Sequence, residues 1–227
     1  MIKRYRFIAF EGIDGAGKRT QLELLAKMLK RRGVAHVQFS FPNYKSFFGR
    51  MVGQFLNGDF GSLDQIDAHF SALLYAGDRY ESKEKLWDAL HTGKVVIADR
   101  YVGSNLAHQT ARMPEPQRAP FLRWLQELEY NVYGLPAETA VVYLRVPPRI
   151  AQEQVAKKAK RAYTGKSHDL LEASLRHLEE AAGIYDQLAR ASKNWMVVEC
   201  FDAQRGEMKS PRAIHAEVVQ ALDSLML

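Results

Sequence analysis

The chain of 227 residues holds a single cysteine, Cys200, and no long apolar run. One thiol can neither close an internal disulfide nor build a cysteine-rich zinc site, and its place in an apolar stretch reads as core, in keeping with a reducing compartment. No segment approaches the length of a membrane span. The early apolar run from Phe7 to Phe10 stops at Glu11, too short for a signal-peptide core, so the expected location is the cytoplasm, away from membranes. There is no convincing internal repeat, no obvious catalytic histidine dyad, and no stripe of interleaved aromatic and basic side chains to support specific nucleic-acid binding.

What the chain does contain is ordinary for a globular protein: 47% hydrophobic and 26% charged residues, enough to bury one core, so a single domain over residues 1–227 is expected. The net charge of +6 implies attraction to phosphorylated ligands of some kind. Apolar, β-branched runs recur at Arg6 to Phe10, Val34 to Phe39, Val95 to Ala98, Ala140 to Val146 and Trp195 to Cys200, with helical spacing between them. Gly33 is placed to close the first helix, and Ser210 followed by Pro211 opens the last. Such alternation predicts a three-layer α/β/α fold with a five-stranded parallel sheet. Two segments read as mobile: Asn57 to Ser62, and Lys157 to Ser167, where five Lys/Arg residues surround Gly165.

Directly after the first apolar run stands GIDGAGKRT, spanning Gly12, Ile13, Asp14, Gly15, Ala16, Gly17, Lys18, Arg19 and Thr20. Between a strand and a helix this is a P-loop: the glycines let successive N–H groups face one point at the positive end of a helix, and Lys18 adds a full charge for the β- and γ-phosphates of a nucleoside triphosphate. The usual pattern has a hydroxyl just after the lysine to ligate Mg²⁺, whereas here Arg19 intervenes and Thr20 comes one place late. Mg²⁺ is therefore expected to be held mainly by phosphate oxygens and water, with Asp14, Asp99 or Glu172 nearby. Arg19 either adds charge to the phosphates or points to solvent.

Further segments narrow the reading. VVIADRY, Val95 to Tyr101, places Asp99 and Arg100 at the C-terminal end of a strand, where open α/β sheets collect ligands. FPNY, Phe41 to Tyr44, follows the second strand; YAGDR, Tyr75 to Arg79, lies in a helix; Ser104 and Asn105 follow DRY; VYLRVPP and a basic segment precede HDLLEASLRHLE. With these motifs in this order, the chain resembles thymidylate kinase over nearly its whole length.

The resemblance implies transfer of the γ-phosphoryl group of ATP to dTMP, giving dTDP and ADP, in a homodimer with a mobile LID at about residues 157–168. It implies Lys18, Asp14, Arg19, Arg100 and Arg161 as catalytic groups, with Arg100 beside the acceptor phosphate and Arg161 closing on ATP. For dTMP it implies Arg79 at thymine O4, Asn105 at the N3 edge and Tyr75 stacked on the base, while Phe41, Pro42, Tyr44, Ser104 and His108 complete the pocket. Asp14 serves the sugar or acceptor phosphate, or pairs with Arg100. Asp169 and Glu172 can face the same cleft. Three departures from the family pattern stand out: His108 and Leu171 replace aromatics, and Arg145 stands where Asp is frequent; buried it would need a carboxylate partner, so it is expected at the cleft rim. The acceptor is a phosphate monoester with a second pKa of about 6, so no general base is required. A related nucleoside monophosphate or deoxynucleoside kinase, or a non-catalytic P-loop protein, remains an alternative. The apolar helix from Phe121 to Val132 is either a dimer contact or core.

Overall fold

The computed structural model describes residues 5–63, 65–156 and 175–226. Five parallel strands form the sheet: β1 (Arg6–Glu11), β2 (His36–Ser40), β3 (Val95–Asp99), β4 (Ala140–Arg145) and β5 (Trp195–Glu199), in the order β2-β3-β1-β4-β5. Helices lie on both of its sides, the three-layer arrangement that the sequence implied. The central strands β1, β3 and β4 are apolar on both faces because both are covered: Phe7, Ile8, Ala9, Phe10, Val95 to Ala98 and Ala140 to Leu144 are all buried.

Register positions the functional loops. Phe10 and Ser40 both pair with Asp99, so the chain leaving β1, β2 and β3 emerges at one end of the sheet in three adjacent loops. Backbone bonds extend the pairing past the strand ends: Arg100 N donates to Phe10 O and Phe41 N to Asp99 O, both at 3.0 Å. The P-loop, the FPNY turn and the DRY segment are thereby brought side by side.

The helices begin and end where local chemistry dictates. Helix α1 (Lys18–Arg31) stops at Gly33, whose φ of 68° is favourable for glycine and whose N–H donates to Lys30 O at 3.1 Å. Helix α2 (Phe47–Asn57) is capped by Ser46 Oγ, which accepts from Gly49 N at 2.9 Å, and α3 (Ala68–Glu81) by Asp67 Oδ1, which accepts from His69 N at 2.7 Å. The stretch from Asn57 to Ser62, expected to be mobile, contains the hydrogen-bonded turn that closes α2 at Gly58. Then follow α4 (Lys83–His91), α5 (Val102–Thr110) and α6 (Glu115–Gln126), with α7 (Pro148–Ala156) and α8 (Leu175–Ala191) after β4. Ser210 caps α9 (Pro211–Met226), as its Ser-Pro start implied. A two-stranded hairpin, β6 (Phe201–Asp202) with β7 (Glu207–Met208), has no counterpart in the sequence reading.

The helix expected from Phe121 to Val132 is two pieces. Helix α6 runs into a π-helical segment, Glu127–Val132, with the wide-turn bond Tyr133 N to Leu128 O at 2.8 Å. Phe121, Leu122, Leu125 and Glu129 are buried, so this face is core.

Glu138, just before β4, is buried and accepts from Tyr130 Oη at 2.7 Å. Burial pushes its carboxyl up to about 7 from an ordinary 4.5. Between those values the unfolded chain releases a proton that the folded chain keeps, so this group's contribution to stability is present below pH 4.5 and lost as pH rises through 7. Glu138→Gln should remove that loss, gaining on the order of 3 kcal/mol over the parent at pH 8 and little at pH 4.5. Urea unfolding of both proteins at the two pH values checks this; equal stability differences at both would refute it.

Candidate active site

The P-loop folds tightly under β4 and α7. A Cβ on Gly12 would lie 2.6 Å from Leu144 O, and one on Gly15 would lie 2.2 Å from Ala151 O, in backbone conformations of φ 138° and 88° that disfavour side chains. Lys18 is buried at the base of the loop and donates to the carbonyls of Gly12 and Ile13, both at 2.9 Å. Burial, with Arg100 nearby, pushes its ammonium down to about 8. The charge is thus stored against the loop's own carbonyls, within reach of a phosphate seated on the N-terminus of α1.

Arg100 is the hub. It is the one non-glycine residue with positive φ (66°) among the described residues, held there by its bond to β1 and by Tyr101 N, which donates to Glu11 Oε1 at 2.7 Å. Its Nη2 donates to Asp14 at 2.5 Å; its Nη1 donates to Ser104 Oγ at 2.9 Å and Gly12 O at 3.3 Å, and lies 3.4 Å from His108 Nε2. Ser104 Oγ in turn donates to the fully buried Glu11 at 2.6 Å, which also accepts from Tyr185 Oη at 3.0 Å. Glu11, a positioning carboxylate, and Tyr185, the phenol that donates to it, are both residues the sequence reading did not place in the site.

A second buried set lies on α3 and α5. Arg79, expected at a base edge, is only 2% exposed, and its Nε and Nη2 both donate to Glu129 at 2.6 Å. Glu129, fully buried on the π-helical segment, also accepts from Asn105 Nδ2 at 2.8 Å. That amide nitrogen donates to Ala72 O as well, at 3.0 Å. Both partners can only accept, so the amide orientation is settled and Oδ1 points the other way, buried and without a hydrogen-bond partner. The two bonds of Arg79 to Glu129 use its Nε and Nη2, and Nη1 makes no hydrogen bond among the described residues. One signal for Glu129 was available in the sequence: it falls four residues after Leu125 and eight after Phe121, a carboxylate on an apolar stripe, which demands a buried cation.

The remaining candidates sort by position. Tyr75 is half-buried, its ring edge-on to Phe55 at 6.3 Å. Phe41 is core, packed on Phe39 and Tyr101. The Phe41–Pro42 bond is cis, and Pro42 and Tyr44 are half-buried at the turn. Asp78 pins this turn to α3, accepting from Asn43 N at 2.9 Å and Ser46 Oγ at 2.7 Å. Arg145 is half-exposed, and it nonetheless donates to two carboxylates, Glu199 at 3.0 Å and Asp186 at 2.7 Å. Arg161, Asp169, Leu171, Glu172 and the LID at 157–168 lie outside the described residues.

Of the two expectations for Arg19, the structure follows the one that points it to solvent. Its side chain is 85% exposed and pairs with Glu23 at 3.0 Å, because the first turn of α1 rotates it about 100° past Lys18, away from the loop. Thr20 is exposed too. Arg19→Ser should therefore leave kcat and the dependence on divalent metal within about twofold of the parent, since exposed pairs contribute little; a tenfold fall in kcat would return Arg19 to the catalytic set.

A family profile described as thymidylate kinase matches residues 10–209. The chain is 32% identical over 194 residues to a thymidylate kinase of Mycobacterium tuberculosis, covering 84% of this chain and 90% of that one. It is 30% identical over 215 residues to a probable thymidylate kinase of Pyrococcus abyssi, covering 94% and 93%. Among solved structures, a thymidylate kinase from Candida albicans shares the fold at a TM-score of 0.75 and 17% identity, over 98% of this chain and 92% of that one.

Proposed function

Because this chain belongs to the thymidylate kinase family and phosphorylates dTMP with ATP as donor, we propose that Lys18 and the P-loop hold the donor phosphates while Arg100 holds the acceptor. A dTMP phosphate oxygen attacks the γ-phosphorus, the bond to the β–γ bridging oxygen breaks, and dTDP and ADP separate. No proton need be removed from the acceptor, which is already largely ionised at neutral pH. The work of the site is to bring two anions together, and Lys18 and Arg100 supply the charge for it.

The base-reading part rests on one observation: the buried, unpartnered Oδ1 of Asn105. Thymine carries an N3–H donor beside an O4 acceptor, which suits an Asn105 acceptor next to an Arg79 Nη1 donor, with Tyr75 along the ring face. Cytosine reverses both groups. An ADP-release assay over a panel of nucleoside monophosphates tests the pocket: dUMP, lacking only the methyl, should fall within about 200-fold of dTMP in kcat/KM, and dCMP about 10⁴-fold below it. Comparable use of dCMP and dTMP would sink the assignment.

The family is ATP-dependent and generally needs a divalent metal, which we take to be Mg²⁺ arriving with ATP. No cluster of three or more metal-ligating side chains occurs among the described residues, and Asp14 is committed to Arg100. Asp99, half-buried at the end of β3 with no ion-pair partner among the described residues, is the carboxylate left to hold it alongside phosphate oxygens and water. The metal would supply further charge neutralisation. No helix among the described residues is long and apolar enough to cross a membrane; residence in the cytoplasm belongs to the proposal. So does the homodimer, for which exposed Phe70 and Leu73 on α3, with Phe60 5.9 Å from Phe70, offer an apolar surface that α6 does not.

A further inference from the structure

His177 on α8 has no place in the chemistry above, yet it touches the acceptor site through one intermediary. Its Nε2 lies 3.2 Å from Nδ1 of His108 on α5, and the opposite nitrogen of His108, Nε2, faces Arg100 Nη1 at 3.4 Å. A guanidinium can only donate, so His108 must present a lone pair at Nε2 and carry its proton on Nδ1. His177 must then accept at Nε2. Both imidazoles are neutral at neutral pH: burial and Arg100 hold His108 well below its ordinary value, and burial and Arg112 hold His177 at about 4. The same helix braces the other flank of Arg100, since Tyr185 Oη lies 3.0 Å from Ser104 Oγ.

We propose that His177 is a positioning residue for the phosphoryl acceptor: by accepting from His108 Nδ1 it fixes the His108 tautomer that leaves a lone pair toward Arg100, keeping the guanidinium beside Asp14 and Ser104. Without an acceptor at position 177, the buried Nδ1–H of His108 has no partner, and the tautomer that relieves it turns an N–H against the donors of Arg100. The inference rests on the reading that Arg100 holds the dTMP phosphate.

Two comparisons test it. His177→Leu, similar in volume but without an acceptor, should raise KM for dTMP about tenfold, the worth of one hydrogen bond to a charged group, with KM for ATP unchanged. His177→Gln keeps an acceptor oxygen and should return KM for dTMP to within about twofold of the parent. Equal KM values for the two variants would overturn the proposal. Nitrogen-15 NMR of the imidazoles in the parent protein judges the relay without any substrate: His108 should carry its proton on Nδ1, and a proton on Nε2 would overturn the proposal even if the leucine variant failed to fold. Arg100→Ala separates the levels, because an unchanged KM for dTMP there would remove the acceptor-site reading itself.

Discussion

Lys18→Ala is expected to lower kcat by about 10²–10³-fold, the loss typical of removing one donor aimed at charge developing in a transition state. KM for dTMP should move little, because the acceptor is held by Arg100 on the other side of the reacting bond. Lys18→Arg should not rescue it: the pocket between the carbonyls of Gly12 and Ile13 is shaped for a compact ammonium, with both contacts at 2.9 Å, and a planar guanidinium cannot occupy it. A second signature follows from the lysine's burial. In the free protein the ammonium is pushed down to about 8. A bound triphosphate supplies compensating negative charge, raising the group again, so ATP binding near pH 8.5 should take up a proton. Titration calorimetry in two buffers of different ionisation enthalpy measures that uptake; it should vanish in Lys18→Ala. Proton uptake that persists in the variant would place the titrating group elsewhere.

Glu129→Gln should have the largest effect on stability. It preserves shape but leaves the guanidinium of Arg79, 2% exposed, without its hydrogen-bonded counter-charge and with only Asp78 acting on it from beside the pair. Breaking a buried pair from one side costs about 3–5 kcal/mol, which for a chain of this size lowers the melting temperature by roughly 10 °C. The same change loosens Asn105, whose Nδ2 also rests on Glu129, so recognition of dTMP should weaken in parallel. The double variant Arg79→Met/Glu129→Leu separates the two roles: with the uncompensated charge gone, stability should recover most of the loss while dTMP recognition does not. Thermal melts and KM for dTMP on the three proteins decide it. A single variant as stable as the parent would mean that water or another anion compensates Arg79.

The parts of the site legible in the sequence are those whose chemistry is local. Gly12, Gly15 and Gly17 before Lys18 announce a phosphate cradle because the loop is built within seven residues. The strands were legible because burial on both faces leaves near-continuous apolar runs. Arg19 was ambiguous for an equally local reason: adjacency to Lys18 suggested a shared ligand, while the helical turn separates the two by rotation. The partnerships were not legible. Arg79 meets Glu129 across 50 positions and Glu11 meets Tyr185 across 174, and no window of sequence contains either pair.

Residue order by itself determined the fold class and the phosphate-binding loop, since glycine conformations and hydrophobic periods act over a few neighbouring positions, and the order of its motifs carried the resemblance that implied the reaction. Only the packed structure decided which charges oppose one another. It turned Arg79 into half of a buried pair, left Asn105 Oδ1 buried without a hydrogen-bond partner, sent Arg19 to solvent, and placed His177 behind His108. The physical reason is that desolvation makes pairing obligatory, and which groups lose water together depends on how distant segments stack.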